Sequence, residues 1–558
     1  MTGSGRRYAH SEATRLLCAG AHLDSAFRAR VIDELVGHEE RPAAPSLGVD
    51  VVAVLAHALR ARRREASTGV ALLVIWASFL AVETSVADPG GIAMLSGSVA
   101  VLYYASVCVL LWLARAASGW GTTMYAVSRD ETARLHLPRR ATAWGLTFVA
   151  RFLELGYWTY ALASLPDDPF ALLFPLLMAF VVGLHRARVA EVMGVELARD
   201  AFARTSVPLP RGSERETRIA RAVTWEQHAG VALYDAYRPF VGAGKPYEPW
   251  SFAMEITPAR KAGDSLDGLL PDQRVDGSAN GQRTAVRLTN RQILDLVVPK
   301  LEALRDSAAR TSRDRLKDLE VEEFVYLPSG VGRYEGVYEP SSARAHLDGA
   351  VDEGGEARRH FLRIRIGAWD EQVVVSVLVR VHTQGGMLVL EVVPHVLGPV
   401  DEEYRRVDAI AAARDGGTRR EVVRTLLSAP ATGVVAGLSG LFTLVQCLRV
   451  WLARPEQAPP DAPLVSVREM GSTDRLSLFQ EMDVSRYIKT VQDRIASGVR
   501  EALRRSGCET GLFEQNIVNV AAGGQFIGQM SGGNVVGRIS KSAVAMGSGG
   551  ASYTEGDQ

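Results

Sequence analysis

The 558-residue sequence predicts an α-helical membrane domain of two helical hairpins with four spans. To it the sequence adds a cytoplasmic α+β domain with an antiparallel sheet and a glycine-rich C-terminal tail. Three observations carry this. Four apolar runs crowd between Ala66 and Leu184, three strand-like runs follow one another over 361–396 with valines alternating through the middle one, and 10 of the last 45 residues are glycine. Composition sets outer bounds. With 47% apolar and 23% charged residues the chain is neither wholly disordered nor fibrous. The 63 basic residues are balanced by 63 acidic ones, so no basic surplus exists to hold nucleic-acid phosphates. Cys18, Cys108, Cys447 and Cys508 are too scattered for a disulfide framework or a zinc site.

Residues 1–64 read as an N-terminal cytoplasmic helical segment. Ser11–Val36 carries a mostly apolar helical stripe through Leu16, Leu17, Leu23, Phe27, Val31 and Leu35. Pro42 and Pro45 break it, and Val51–Arg64 resumes as a helix running into the first apolar run.

Residues 65–190 are the membrane domain, with runs at Ala66–Val82, Gly90–Ala114, Ala141–Leu165 and Phe170–Leu184. A spanning helix needs about 20 apolar residues, which the second run meets without any charge. The first and fourth are shorter and borrow flanking residues to complete a hairpin with their long neighbours. Charge sets the orientation. Arg60, Arg62, Arg63 and Arg64 precede the first run, Arg115, Arg129, Arg134, Arg139 and Arg140 lie between the second and third, and Arg186 and Arg188 follow the fourth. The two short connections carry only Glu83, Asp88, Asp167 and Asp168. Basic flanks stay cytoplasmic, so both ends of the bundle are expected inside, in the cell membrane. Within the third run Arg151 and Glu154 stand at i, i+3 and neutralise each other, because a lone charge in the bilayer costs a few kcal/mol. The pair reads either as a polar element of a conduction path or as a register device inside the bundle.

Residues 191–415 form the α+β domain. "GVALYDAY" and "WSFAMEI" read as strands around the loop "RPFVGAGKPYEP", Asn290–Asp306 as an amphipathic helix interrupted or bent at Pro299, and "EEFVYLP" as a short strand. Phe361–Trp369, Gln372–His382 and Met387–Val396 follow as three consecutive strands. The valines at 373, 375, 377, 379 and 381 supply one buried face, and Gly385-Gly386 the last turn.

Chemistry is sparse in this domain. "FVGAGKP" lacks the phosphate-loop glycine at Pro239 and the hydroxyl residue at Pro246, and "GVGRYEG" misses dinucleotide spacing by one residue. No nucleophile elbow and no zinc-protease motif occur. Arg238, Gly242, Gly244 and Lys245 read as a candidate anion loop, since free amides and two cations share it; a solvated turn is the alternative. His360, His382 and His395 stand at three strand ends, where convergence would suit zinc and solvation is the alternative. No catalytic residue, metal or cofactor is expected.

The order of "RLLCAGAHLD", the paired hairpins, "YDAYRPFVGAG", "WSFAMEI", "SRDRLKDLEVEEFVYLP", "GEARRHFLRIRI" and "QGGMLVLEVVPHVL" resembles a family of actinobacterial integral membrane proteins. The resemblance spans most of the chain and implies membrane location and shared architecture, with no catalytic residue carried over.

Residues 416–455 hold a charge-free stretch, Thr425–Leu448, with Gly433, Gly437 and Gly440 spaced for close helix packing. A fifth span, a membrane-lying segment and a hairpin all fit it. Residues 456–512 are a proline-rich linker and the amphipathic helix Val484–Arg505, whose narrow stripe suits packing on another helix.

Residues 513–558 are the tail. "GGQFIGQM" at 523–530 repeats as "GGNVVGRI" at 532–539, preceded by "NIVNV" at 516–520. Gln525, Phe526, Ile527 and Gly528 thus match Asn534, Val535, Val536 and Gly537 as candidate self-association residues, because amide ladders and β-branched side chains favour stacked β-arcs. The tail is similar to bacterial amyloid-signalling motifs and, more loosely, to the RIP homotypic interaction motif core, from which it departs by placing Gln525 ahead of Phe526-Ile527-Gly528. A docked hairpin and a disordered tail are the alternatives.

Together these features point to a non-enzymatic membrane sensor or scaffold with a cytoplasmic ligand- or partner-binding domain. Its partners are the lipid bilayer and, through the tail, a homo-oligomer. The alternative is a membrane-perturbing effector activated by oligomerisation, which ion leakage on overexpression would distinguish. Two rungs in one chain do not offset the ordering of a glycine-rich backbone at roughly 1–2 kcal/mol per residue, whereas many tethered chains would. A peptide spanning Asn516–Ile539 should therefore stay disordered when dilute and form β-rich assemblies when concentrated. Ile527→Asp or Val536→Asp should abolish assembly, and circular dichroism with sedimentation checks both; a wild-type peptide that stays monomeric when concentrated would refute self-association.

Overall fold

The computed structural model describes residues 8–86, 99–117, 137–204, 213–235, 237–259, 288–311, 314–329, 336–353, 358–413, part of 429–452, and 461–521. Two short helices open the chain, α1 (Glu12–Leu23) and α2 (Ser25–Ile32). Ser11 caps the first and Asp24 the second, each accepting a hydrogen bond from an amide of the following turn. Asp24 therefore splits the single helix expected over Ser11–Val36. After Pro42–Pro45 the chain enters α3 (Val51–Val86), a continuous helix of 36 residues, about 54 Å long. Its first turns are buried in the N-terminal core and its second half joins the apolar bundle.

The bundle adds α4 (Val99–Ala117), α5 (Leu137–Ala163) and α6 (Phe170–Val195). Among the described residues three helices, Val51–Ser85, Val99–Ala117 and Phe170–Val195, are long and apolar enough to cross a membrane. The third expected span, α5, has 27 residues and the length to cross, but Arg151 and Glu154 lower its apolar character. Phe79 stacks on Phe174 with ring centroids 5.0 Å apart, and the Tyr157 hydroxyl donates to the Ala171 carbonyl, tying α3 and α5 to α6.

Helix α7 (Glu214–Glu226) leads into the sheet domain. Its strands are β1 (Val231–Tyr234), β2 (Lys245–Pro246), β3 (Trp250–Glu255), β4 (Glu320–Pro328), β5 (Arg359–Ala368), β6 (Val373–Gln384) and β7 (Met387–Leu397). Helices α8 (Asn290–Thr311) and α9 (Pro340–Ala350) lie between them in sequence, and Pro299 is accommodated inside α8. The order is β1-β4-β5-β6-β7-β2, with β3 also on β7. The three consecutive strands form the expected meander, but the sheet is mixed, not antiparallel throughout: β1 runs parallel to β4, Val231 facing Val325. A parallel neighbour needs a long crossover, and the chain from 235 to 319 supplies it. The strands flanking the glycine loop consequently part company, β1 going to one edge and β3 to the other.

One face of the sheet is covered by α8 and α12 (Leu478–Arg505), whose Val484, Ile488, Val491, Ile495 and Val499 pack on Val375, Val377 and Val379. A short helix, α13 (Gly511–Ala521), rests on β3 through Phe513 against Phe252. The "NIVNV" string is thus helical, while the repeat itself, with Gln525, Phe526, Ile527, Gly528, Asn534, Val535, Val536 and Gly537, lies outside the described residues.

A second core joins the two halves of the molecule. Residues of α1, α2 and α3, the end of α6 (Val189, Val192, Met193), α10 (Arg406–Ala413) and α11 (Val467–Met470) share it. Val400 pairs with Ser472, so the chain before and after the 416–455 segment meets directly. Gly440 lies against Gly69 of α3, with 3.0 Å from a Cβ built there to the Gly69 Cα.

Candidate functional site

The glycine loop holds an anion, and the anion belongs to the chain itself. Gly242 and Gly244 both have φ +92°, a region open to glycine at no steric cost. A Cβ at Gly242 would strike the Pro45 carbonyl oxygen, and one at Gly244 that of Val396. With the loop turned this way the two amides donate to one oxygen of Glu469, Oε1, at 2.9 and 3.1 Å. The other oxygen, Oε2, accepts from the Ser466 amide at 3.0 Å, while the Ser466 hydroxyl accepts from the Glu469 amide. That reciprocal pair is the capping box of α11. Of the cations expected here, Lys245 pairs with Asp474 at 2.8 Å near the surface, and Arg238 is exposed on the preceding turn.

Beside it Arg468 is fully buried and donates to the carbonyls of Gln372 and Gly398 at 2.7 and 3.0 Å. Burial pushes its pKa down to about 9. A second buried guanidinium, Arg365, lies between Glu320 at 3.1 Å and Glu371, with the Tyr8 hydroxyl also bonded to it. Glu371 closes a turn in which Trp369, Asp370 and Glu371 all have positive φ. Strain at such positions costs on the order of 1 kcal/mol each and persists where surrounding bonds over-determine it. Here the Arg365–Glu371 and Arg315–Asp370 ion pairs do so.

The sheet register aligns Glu320, Arg365, Ser376 and His395 across β4, β5, β6 and β7. His395 donates from Nδ1 to the Val393 carbonyl at 3.2 Å, and burial takes its pKa down to about 4. The three strand-end histidines do not converge. His360 shares the parity of Leu362 and faces the helices, whereas His382 and His395 take the opposite parity from Val381 and Val396. His360 bonds Glu323 at 3.0 Å, and His382 bonds Gln384. Among the described residues no group of three or more His, Cys, Asp or Glu is arranged to hold a metal ion. Glu323 also accepts from Arg291, and its pKa falls to about 2, mainly through the His360 hydrogen bond.

In the bundle Arg151 and Glu154 pair at 2.5 Å, as their spacing predicts, with Glu154 buried and Arg151 43% exposed. Sequence reasoning missed the polar cluster where α1 and α2 cross α3 and α6. There His22 bonds His57 at 3.1 Å, Arg28 pairs with Glu65, and Thr68 bonds His185. Its one local signal is that His22 and Arg28 interrupt the buried faces of otherwise apolar helices.

These features define a class: an apolar helical bundle joined through a common core to a mixed-sheet α+β domain. The chain matches the AbeC-like domain over residues 249–536, just over half of its length, and belongs to that family. The matched region opens at β3 and takes in the meander, the 416–455 segment, α11, α12 and α13. No curated protein and no solved structure matches the chain.

Removing the Glu469 carboxylate strands two inward-facing amides and breaks the α11 cap. Glu469→Ala should therefore cost on the order of 3 kcal/mol, seen as a lower unfolding temperature. Lys245→Ala, at an exposed pair, should cost under about 1 kcal/mol; equal effects would contradict this account. Acid should act in two ranges. An unfolded histidine titrates near 6.5 and His395 near 4, so between them the unfolded chain binds more protons and stability drops as the pH is lowered. Glu323 contributes above about 4.5, and that contribution is lost as pH falls through about 2. Unfolding temperature measured against pH checks both ranges, and His395→Gln should make the upper one shallower.

Proposed function

We propose that this chain is a cytoplasmic-membrane protein with four spans, both flanks of the bundle inside, and that its sheet domain binds a ligand or partner and passes that state to the bundle without catalysing a reaction. The observation that carries this reading is the shared core. Val189, Val192 and Met193 of α6 and Val51–Leu59 of α3 pack with Tyr404, Val407, Val467 and Met470 from the sheet-domain side. A shift in the sheet domain is then felt at the feet of two apolar helices through close-packed side chains.

The non-enzymatic part draws on how the polar groups are used. Glu469 is held by the glycine loop, Glu323 by His360 and Arg291, and Glu371 by Arg365, so each cluster is neutralised within the chain. The four-span part draws on α5, which packs beside α4 and carries its charges as the pair Arg151–Glu154. Charge distribution supports the orientation, with arginines at one end of the bundle and carboxylates at the other. Reporter fusions after Asp88, Asp168 and Asp200 test it. The first two should report the outside and the third the cytoplasm; a cytoplasmic signal from either of the first two sites would overturn the topology.

A further inference from the structure

Where α1 and α2 cross the feet of α3 and α6, a cavity of about 20 Å³ with polar and apolar walls opens between them. Its walls include His22, Ser25, Arg28, Arg64, Glu65 and His185. Arg28 and Glu65 cancel each other in a buried ion pair. Arg64 is the surplus charge. Its guanidinium makes a long 3.4 Å bond to the Arg188 carbonyl, while the neighbouring Arg60 is matched by Glu196 at 2.6 Å. Counted over its walls alone the cavity thus carries one net positive charge, with Glu196 and Glu191 acting on Arg64 from outside it.

A second observation points to a ligand. His22 is 6% exposed, and its Nδ1 is buried with no hydrogen-bond partner. Its Nε2 shares a single proton with His57 Nδ1 across 3.1 Å. If His57 donates, His22 must carry its own proton on Nδ1, which gives an unmet donor beside Arg64. An oxyanion accepts from both.

The position in the fold selects the kind of anion. His185 directly follows Leu184, where the fourth apolar run ends, and Thr68, bonded to His185, stands at the start of the first. Val70 and Leu184, the next side chains along these helices, are 46% and 39% exposed. With a bilayer around the apolar runs, the cavity lies at the level of lipid headgroups, with an apolar collar for acyl chains beside it. Its volume admits phosphate oxygens inserted from outside, not a whole headgroup.

We propose that this cavity binds the phosphate oxyanion of an anionic membrane lipid, with Arg64 as its ion partner and His22 Nδ1–H as a hydrogen-bond donor. The inference rests on the membrane reading above. It makes the seating of α1 and α2, and through them of the shared core, responsive to the lipid around the bundle.

The test uses the full-length protein in nanodiscs of phosphatidylcholine mixed equally with phosphatidylglycerol. Lipid retained per protein after transfer to detergent is counted by mass spectrometry. The wild-type protein and Arg62→Gln, which removes a charge from the same helix outside the cavity, should retain phosphatidylglycerol preferentially. Arg64→Gln should lose about ten-fold of that preference. In discs of phosphatidylcholine alone, inorganic phosphate is titrated while the unfolding temperature is followed. An Arg64-dependent preference that survives added phosphate supports the lipid. Stabilisation by phosphate that needs Arg64, without any phosphatidylglycerol preference, overturns the lipid assignment in favour of a soluble phosphate. Identical behaviour of Arg64→Gln and Arg62→Gln overturns the site. Alkaline carbonate extraction is scored first, and release of the wild-type protein there would overturn the membrane reading instead.

Discussion

One carboxylate holds together three distant parts of the chain. Glu469 accepts the amides of Gly242 and Gly244 while capping α11, and the same glycines bring the loop against the carbonyls of Pro45 and Val396. Pro45 leads into α3, Val396 lies near the end of the last strand of the meander, and α11 carries Arg468 into the interior. Charge-assisted bonds to backbone amides are about twice as strong as neutral ones, and stronger still out of water. The junction of N-terminal segment, sheet and C-terminal helices is therefore tied by electrostatics beside the apolar contacts that Val467 and Met470 of the same helix make.

Around that tie the interior is unusually rich in arginine. Arg15, Arg365 and Arg468 are each at most 2% exposed. Arg15 bonds Glu12, Asp408 and the Leu197 carbonyl, Arg365 takes two carboxylates, and Arg468 takes carbonyls in place of a counter-ion. A planar guanidinium suits such sites because its donors fan out toward several acceptors at once. Each pair adds little net stability after desolvation, yet a mismatched arrangement would leave a buried charge unmet, which penalises alternative packings. The positive-φ turn at Trp369–Glu371 belongs to the same system, since Glu371 reaches Arg365 from it.

The bundle and the sheet domain are joined by a core and not by a linker. Helix α6 ends inside the cluster that also buries Tyr404 and Val467, and Val400 pairs with Ser472 across the base of the 416–455 segment. The AbeC-like region thus contains both a sheet and the elements that fasten it to apolar helices lying N-terminal to it. Fastening by close packing transmits small displacements, because a dense interior has few voids to absorb them.

Local pattern alone determined much of this protein. Apolar runs placed the bundle helices, period-two valines placed β6, Gly385-Gly386 placed its turn, and i, i+3 spacing paired Arg151 with Glu154. The glycine loop was legible as a turn with free amides because these depend on local backbone. Its occupant was not, since Glu469 lies 227 residues from Gly242 and has no neighbouring signature. Tertiary structure alone decided that β1 runs parallel to β4, that the strand-end histidines divide between two faces, and that Val400 pairs with Ser472. It also decided which arginines are buried with which acceptors. Periodicity records which side of an element meets the core. It does not record which distant partner waits there, because that choice is made by long-range packing and by the need of each buried charge for an acceptor.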